Sequence, residues 1–108
     1  MHFIDLKDTF KKQLAPGVNL NVAWGHKLML SVVELEPGST VPMHSHPHEQ
    51  AGIVLDGEFD LTIGDETRRL RKGDMYIIPG GVQHTVVTGE KKAVALDIFH
   101  PIREEYTS

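Results

Sequence analysis

The stretch GSTVPMHSHPHEQAGIVLDG, residues 38–57, decides how this chain folds. Three histidines, His44, His46 and His48, fall within five residues, interleaved with Ser45 and Pro47 and followed by Glu49 and Gln50. In a helix, residues two apart diverge by about 200°, so a His-x-His pair cannot grip one ion; in a strand the two share a face. The extended reading and the metal reading therefore support each other. Gln50 has the parity of His44 and His46, whereas Glu49 points the other way unless Pro47 introduces a bulge, and is expected in solvent or at an interface. Asp56-Gly57 is a hairpin signal, and Glu58 to Ile63 beyond it alternates with Phe59, Leu61 and Ile63 on one face.

Outward from this stretch the punctuation is regular. On the N-terminal side, Asn19 to Trp24 alternates, Gly25-His26 turns, Leu28 to Leu35 is rich in β-branched and long apolar residues, and Pro37-Gly38 turns again. Val41 to Leu55 reads as one extended run. On the C-terminal side, Thr67–Leu70, Met75–Ile78, His84–Val87 and Ala93–Phe99 are separated by Lys72-Gly73-Asp74, Pro79-Gly80-Gly81 and a polar link. Roughly nine short strands with turns every ~8–12 residues predict an all-β sandwich, barrel or jelly roll. Phe3 to Leu14 is either a turn or two of amphipathic helix or an extended arm, ended by Ala15-Pro16-Gly17.

With 108 residues the chain forms one domain with one core. A net charge of −4 and no arginine-rich stripe argue against nucleic acid and anionic membranes as partners. The absence of cysteine excludes disulfides, thiolate zinc sites, iron–sulfur clusters and cysteine nucleophiles, leaving nitrogen and oxygen ligands. Asp5 and Asp8 interrupt the first fifteen residues, no apolar segment approaches a membrane span, and a soluble cytoplasmic protein is expected.

His84, in Gly80-Gly81-Val82-Gln83-His84, supplies a third imidazole from another strand. His2, His26 and His100 are isolated and expected in solvent. Asp97 interrupts the apolar run AVALDIF, residues 93–99. If Ala95, Asp97 and Phe99 face inward, then Val94, Leu96 and Ile98 form an apolar outer face. The opposite orientation buries those three instead, so parity leaves both open. Leu28, Leu30 and Val32 pose the same question against Met29, Val33 and Leu35. A monomer should not leave two such strands wet, so either the N-terminal segment or a second subunit is expected to cover them; a homodimer is the expected state. Arg103, six residues after Asp97, either folds over the mouth of the barrel or is a solvated tail charge.

Gly38, five residues, His44, one residue, His46, three residues, Gln50, six residues, Gly57 resembles the first motif of the cupin superfamily, with Gln50 where glutamate is usual. Gly73, five residues, Pro79, one residue, Gly81, two residues, His84 resembles its second motif, with Thr88 in place of the closing asparagine. The resemblance runs from about Val18 to Phe99. It implies an all-β, single-domain cupin β-barrel (double-stranded β-helix, jelly roll) over 18–108, with residues 1–17 as an N-terminal arm or short helix. It also implies one divalent transition metal ion, nickel, zinc, iron or manganese, inside the barrel. Gly38, Gly57, Gly73 and Gly81 are then turn residues needing positive φ or close approach. A neutral glutamine leaves the site one negative charge short, which favours Lewis-acid over redox chemistry.

The runs MHSHPHEQAGIVLDGEFDLTIGDE (43–66), GDMYIIPGGVQH (73–84) and LDIFHPIREEY (96–106) resemble the small cupins of pectin and alginate breakdown that linearise 4,5-unsaturated uronates. That resemblance implies metal ligation by His44, His46, Gln50 and His84, proton transfer by Asp97 and capture of the sugar-acid carboxylate by Arg103. Phe99, Tyr76, Phe59 and His48 are the expected pocket and rim. A metal-dependent dioxygenase using the same histidines, and a non-catalytic small-molecule or sugar-binding cupin, are the alternatives.

Overall fold

The computed structural model describes residues 2–108. Ten strands follow one another: β1 (Phe10–Ala15), β2 (Val18–Trp24), β3 (Met29–Leu35), β4 (Thr40–His44), β5 (Glu49–Asp56), β6 (Glu58–Ile63), β7 (Glu66–Arg71), β8 (Met75–Ile78), β9 (His84–Thr88) and β10 (Ala93–His100). Short 3-10 turns at Leu6–Asp8 and Glu104–Tyr106 lie outside them. One antiparallel sheet has the order β1-β2-β3-β10-β5-β8 and the other β4-β9-β6-β7. The four expected turn glycines all adopt positive φ. At Gly57, in the β5–β6 hairpin, a side chain would also overlap the Lys92 carbonyl.

Two expectations are corrected, and one open alternative is resolved. The closed barrel is absent: among the described residues no ladder joins the two sheets, and the jelly roll is two facing sheets. Facing inner surfaces bring imidazoles together without edge closure. The run Val41 to Leu55 is not continuous but breaks at 45–48, where the chain leaves the four-stranded sheet for the six-stranded one. Pro47, which has no N–H for a ladder, sits in that break. Near the N-terminus the extended option holds over 10–15, where β1 pairs with β2.

Alternation along the strands fills the interior. Val18, Leu20 and Val22 from β2, Met29, Val33 and Leu35 from β3, and Ala93, Ala95 and Phe99 from β10 meet Phe59, Leu61 and Leu70 from the other sheet. Each of the larger side chains contributes roughly 1.5–3 kcal/mol by leaving water. The outer face of the six-stranded sheet is apolar as well. Register aligns Leu30, Ile98, Ala51 and Ile77 in one row and Val32, Leu96, Ile53 and Met75 in the next. Ile77 is 65% and Met75 76% exposed. The N-terminal segment leaves these rows open, and Phe3 and Ile4 are themselves in solvent. Among the described residues no helix is long and apolar enough to cross a membrane.

Candidate metal centre and catalytic pocket

His44 closes β4 and His84 opens β9, and the two stand opposite each other in the ladder. His46 follows in the crossover at 45–48, and Gln50 enters from β5 in the facing sheet. Each imidazole is held by a backbone carbonyl at Nδ1: His44 by Pro42 O at 2.8 Å, His46 by His48 O at 3.0 Å and His84 by Val82 O at 2.9 Å. A carbonyl only accepts, so each Nδ1 carries the proton and each Nε2 presents a lone pair. One ring nitrogen from each histidine lies within 4.8 Å of the other two. His84 Nε2 is buried with no hydrogen-bond partner, and His46 Nε2 lies 3.1 Å from Gln50 Oε1. Two acceptors so placed repel unless a cation lies between them. Three oriented imidazoles and an amide oxygen fit a divalent transition ion, and backbone carbonyls behind the rings are the support such ligands need.

Electrostatics agree. Burial pushes His84 down to about 4, with the neighbouring His44, His46 and Arg103 adding to the shift against its carbonyl partner. Burial, then Arg103, also lowers His46. Both rings are therefore neutral at pH 7 and able to bind metal.

Across the same cavity, Asp97 points inward from β10, which resolves its orientation; Val94, Leu96 and Ile98 face out. Tyr76 Oη donates to Asp97 Oδ1 at 2.6 Å, and the Gln50 amide also hydrogen-bonds the carboxylate. Burial raises Asp97 to about 6, outweighing those hydrogen bonds and the Arg103 charge. Arg103 is buried rather than a solvated tail charge. Its guanidinium lies 4.0 Å from the Tyr106 ring centre and 5.1 Å from that of Phe99. Nη1 donates to Tyr106 Oη at 2.8 Å and Nη2 to Glu105 Oε2 at 3.1 Å, while Nε is buried without a partner. A cavity of about 50 Å³, room for a few waters, is lined by His44, Gln50, His84, Asp97 and Arg103, with Phe59, Tyr76 and Phe99 among its walls.

A family model, that of the cupin domain, matches residues 31–99. The chain belongs to the cupin family. This cupin is 32% identical over 107 residues to the pectin degradation protein KdgF of Dickeya dadantii, covering 97% of this chain and 96% of that one. It is also similar to the solved structure of KdgF from Halomonas sp., with a TM-score of 0.88, 28% identity and 97% of each chain covered. An RmlC-like cupin from Shewanella frigidimarina superposes with a TM-score of 0.90 at 26% identity, over 98% of this chain and 96% of that one.

The structure thus gathers His44, Gln50, His84, Asp97, Arg103, Phe99, Tyr76 and Phe59 around one space, with His46 packed against His44, His84 and Gln50 beside it. His48 does not line the cavity; it is half-buried beside His46, and its carbonyl orients that ring. Glu49, His2, His26 and His100 are exposed. Two residues of the cupin's site went unread in the sequence. Tyr106, stacked on Arg103, has one signal, an aromatic in an otherwise polar tail. Gly52 has another, a glycine inside a strand, where such residues mark a close approach.

Proposed function

We propose that this cupin opens the ring of 4,5-unsaturated uronates, sugar acids of the kind released from pectin or alginate, to the linear keto form. The observation that carries the reading is a buried carboxylate and a buried guanidinium turned into one cavity beside a cluster of three lone-pair-bearing imidazoles, two of which line it. Near-full-length likeness to a protein named for pectin degradation supports the substrate class.

The reaction needs no oxidant. The hemiacetal hydroxyl gives up a proton, the bond from carbon 1 to the ring oxygen breaks, and an aldehyde forms. The enolate left behind takes a proton at carbon 4 and becomes a ketone at carbon 5, so one proton leaves and one arrives. Asp97 is suited to carry it, because a carboxyl raised to about 6 exchanges protons near neutral pH. Arg103, with Nε lacking a partner, grips the substrate carboxylate. Phe99, Tyr76 and Phe59 form the walls, and the C-terminal lining of Arg103 and Tyr106 gives way as the sugar ring enters. A divalent ion held by His44, His46, Gln50 and His84, whether nickel, zinc, iron or manganese, supplies Lewis-acid polarisation of substrate oxygens. The working unit is a homodimer in the cytoplasm, joined through the open apolar sheet face.

The test is the ultraviolet absorbance of the conjugated double bond in an unsaturated monouronate, followed with metal-reconstituted and chelator-stripped protein. Loss of absorbance accelerated by the reconstituted protein, without oxygen uptake, is expected. Oxygen uptake moves the protein to the dioxygenases, and ligand binding without turnover moves it to the sugar-binding cupins.

A further inference from the structure

Asp97, Gly52 and Tyr76 stand at one level on the adjacent strands β10, β5 and β8, paired in register. Asp97 and Tyr76 both reach into the interior, and the residue between them has no side chain. The Tyr76 phenol lies over that gap: a methyl at Gly52 would overlap its Cζ, Cε1 and Oη. Gly52 is not among the positive-φ glycines, so its backbone does not demand glycine. Space does. From the opposite sheet Phe59 meets the Tyr76 ring in a T-shaped contact, at 6.4 Å between centres and 80° between planes. Held between the Gly52 floor and Phe59, the phenol donates to Asp97 Oδ1 at 2.6 Å. Gln50 also hydrogen-bonds the carboxylate, which lines the cavity.

We propose that Tyr76 is a positioning residue for Asp97, and that Gly52 is the slot through which the phenol reaches the carboxylate. The inference rests on the reading of Asp97 as proton carrier and adds the device that aims it. A carboxylate fixed by one oxygen presents the other in a constant direction, which proton transfer to carbon requires.

The experiment compares wild type, Tyr76→Phe, Gly52→Ala, Asp97→Asn and Tyr76→Phe/Asp97→Asn, all metal-reconstituted, by metal content, thermal unfolding, kcat and KM on the unsaturated monouronate. Tyr76→Phe should keep its metal and its KM and lose about 10- to 100-fold in kcat. That loss should vanish once Asp97 is already asparagine. Gly52→Ala should lose at least as much as Tyr76→Phe; if it does not fold, Tyr76→Phe decides alone. Wild-type kcat in Tyr76→Phe, or an equal further loss in the Asp97→Asn background, overturns the proposal. If the wild type leaves the uronate untouched, the substrate reading fails by itself, and unfolding temperatures of the four-member cycle decide the contact. Non-additive shifts support the Tyr76–Asp97 link, and additive shifts overturn it.

Discussion

Neighbouring residues on β10 face two very different surroundings. Asp97 turns inward against Tyr76 and Gln50, while Ile98, next in the chain, stands on an open apolar row with Leu30 and Ile77. A lone folded monomer gains from neither choice. Burying a carboxylate is unfavourable unless it is partnered, and apolar area left in water forfeits about 25 cal/mol per Å². Under the proposed reaction and dimer, the inner face gives up stability for a reactive group, and the outer face keeps an apolar surface for a second copy. The contrast separates the chemistry of the sheet from its assembly.

The largest effect expected on the inner face is kinetic. Asp97→Asn should lower turnover of the unsaturated uronate by about 10²–10⁴-fold, as for removal of a general acid–base, with metal content unchanged by elemental analysis. The same substitution should raise stability. Asp97 titrates near 6 in the folded chain and near 4 when unfolded, so between those values the native state binds the extra proton. Its contribution is present below about 4 and lost as pH rises through about 6. His84, lowered to about 4, has the opposite slope: its contribution is lost as pH falls from about 6.5. Urea unfolding of metal-stripped wild type should therefore rise less with pH from 4 to 6 than that of Asp97→Asn, because Asp97 opposes the slope of His84 and of His46, which burial also lowers. Asp97→Asn should rise with pH across that range and exceed wild type at pH 7 by about 2–3 kcal/mol.

Arg103→Ala should raise KM by roughly 10-fold or more with a smaller change in kcat, because the substrate carboxylate it holds persists through the reaction. The smallest kinetic effect belongs to the outer face. Ile98→Asp should convert a dimer to a monomer of 12.1 kDa by light scattering and leave turnover per chain within about twofold. A monomeric wild type breaks the comparison, since the outer rows would then have no partner.

Much of this molecule is legible in the sequence where turns are sharp. Met75–Ile78 is read to the residue because Gly73-Asp74 and Pro79-Gly80 bracket it. The three histidines are legible because spacing and chemistry agree. The break at 45–48 is not, since polar residues there look the same whether the chain continues in one sheet or crosses to another. Nor is the direction of Asp97: both faces of β10 are apolar enough to be a core, and only Tyr76 and Gln50, distant in sequence, distinguish them. Arg103 is undecided for the same reason until Tyr106 folds beneath it.

The central claim, ring opening by proton transfer without redox change, is tested most directly by turnover of the unsaturated monouronate in deuterium oxide, followed by proton NMR with an oxygen electrode alongside. The account predicts a linear keto product that first appears with one solvent deuterium at carbon 4, at a rate proportional to metal-reconstituted protein, with no oxygen consumed. Uptake of oxygen, or a product rate no faster than in buffer, would contradict it.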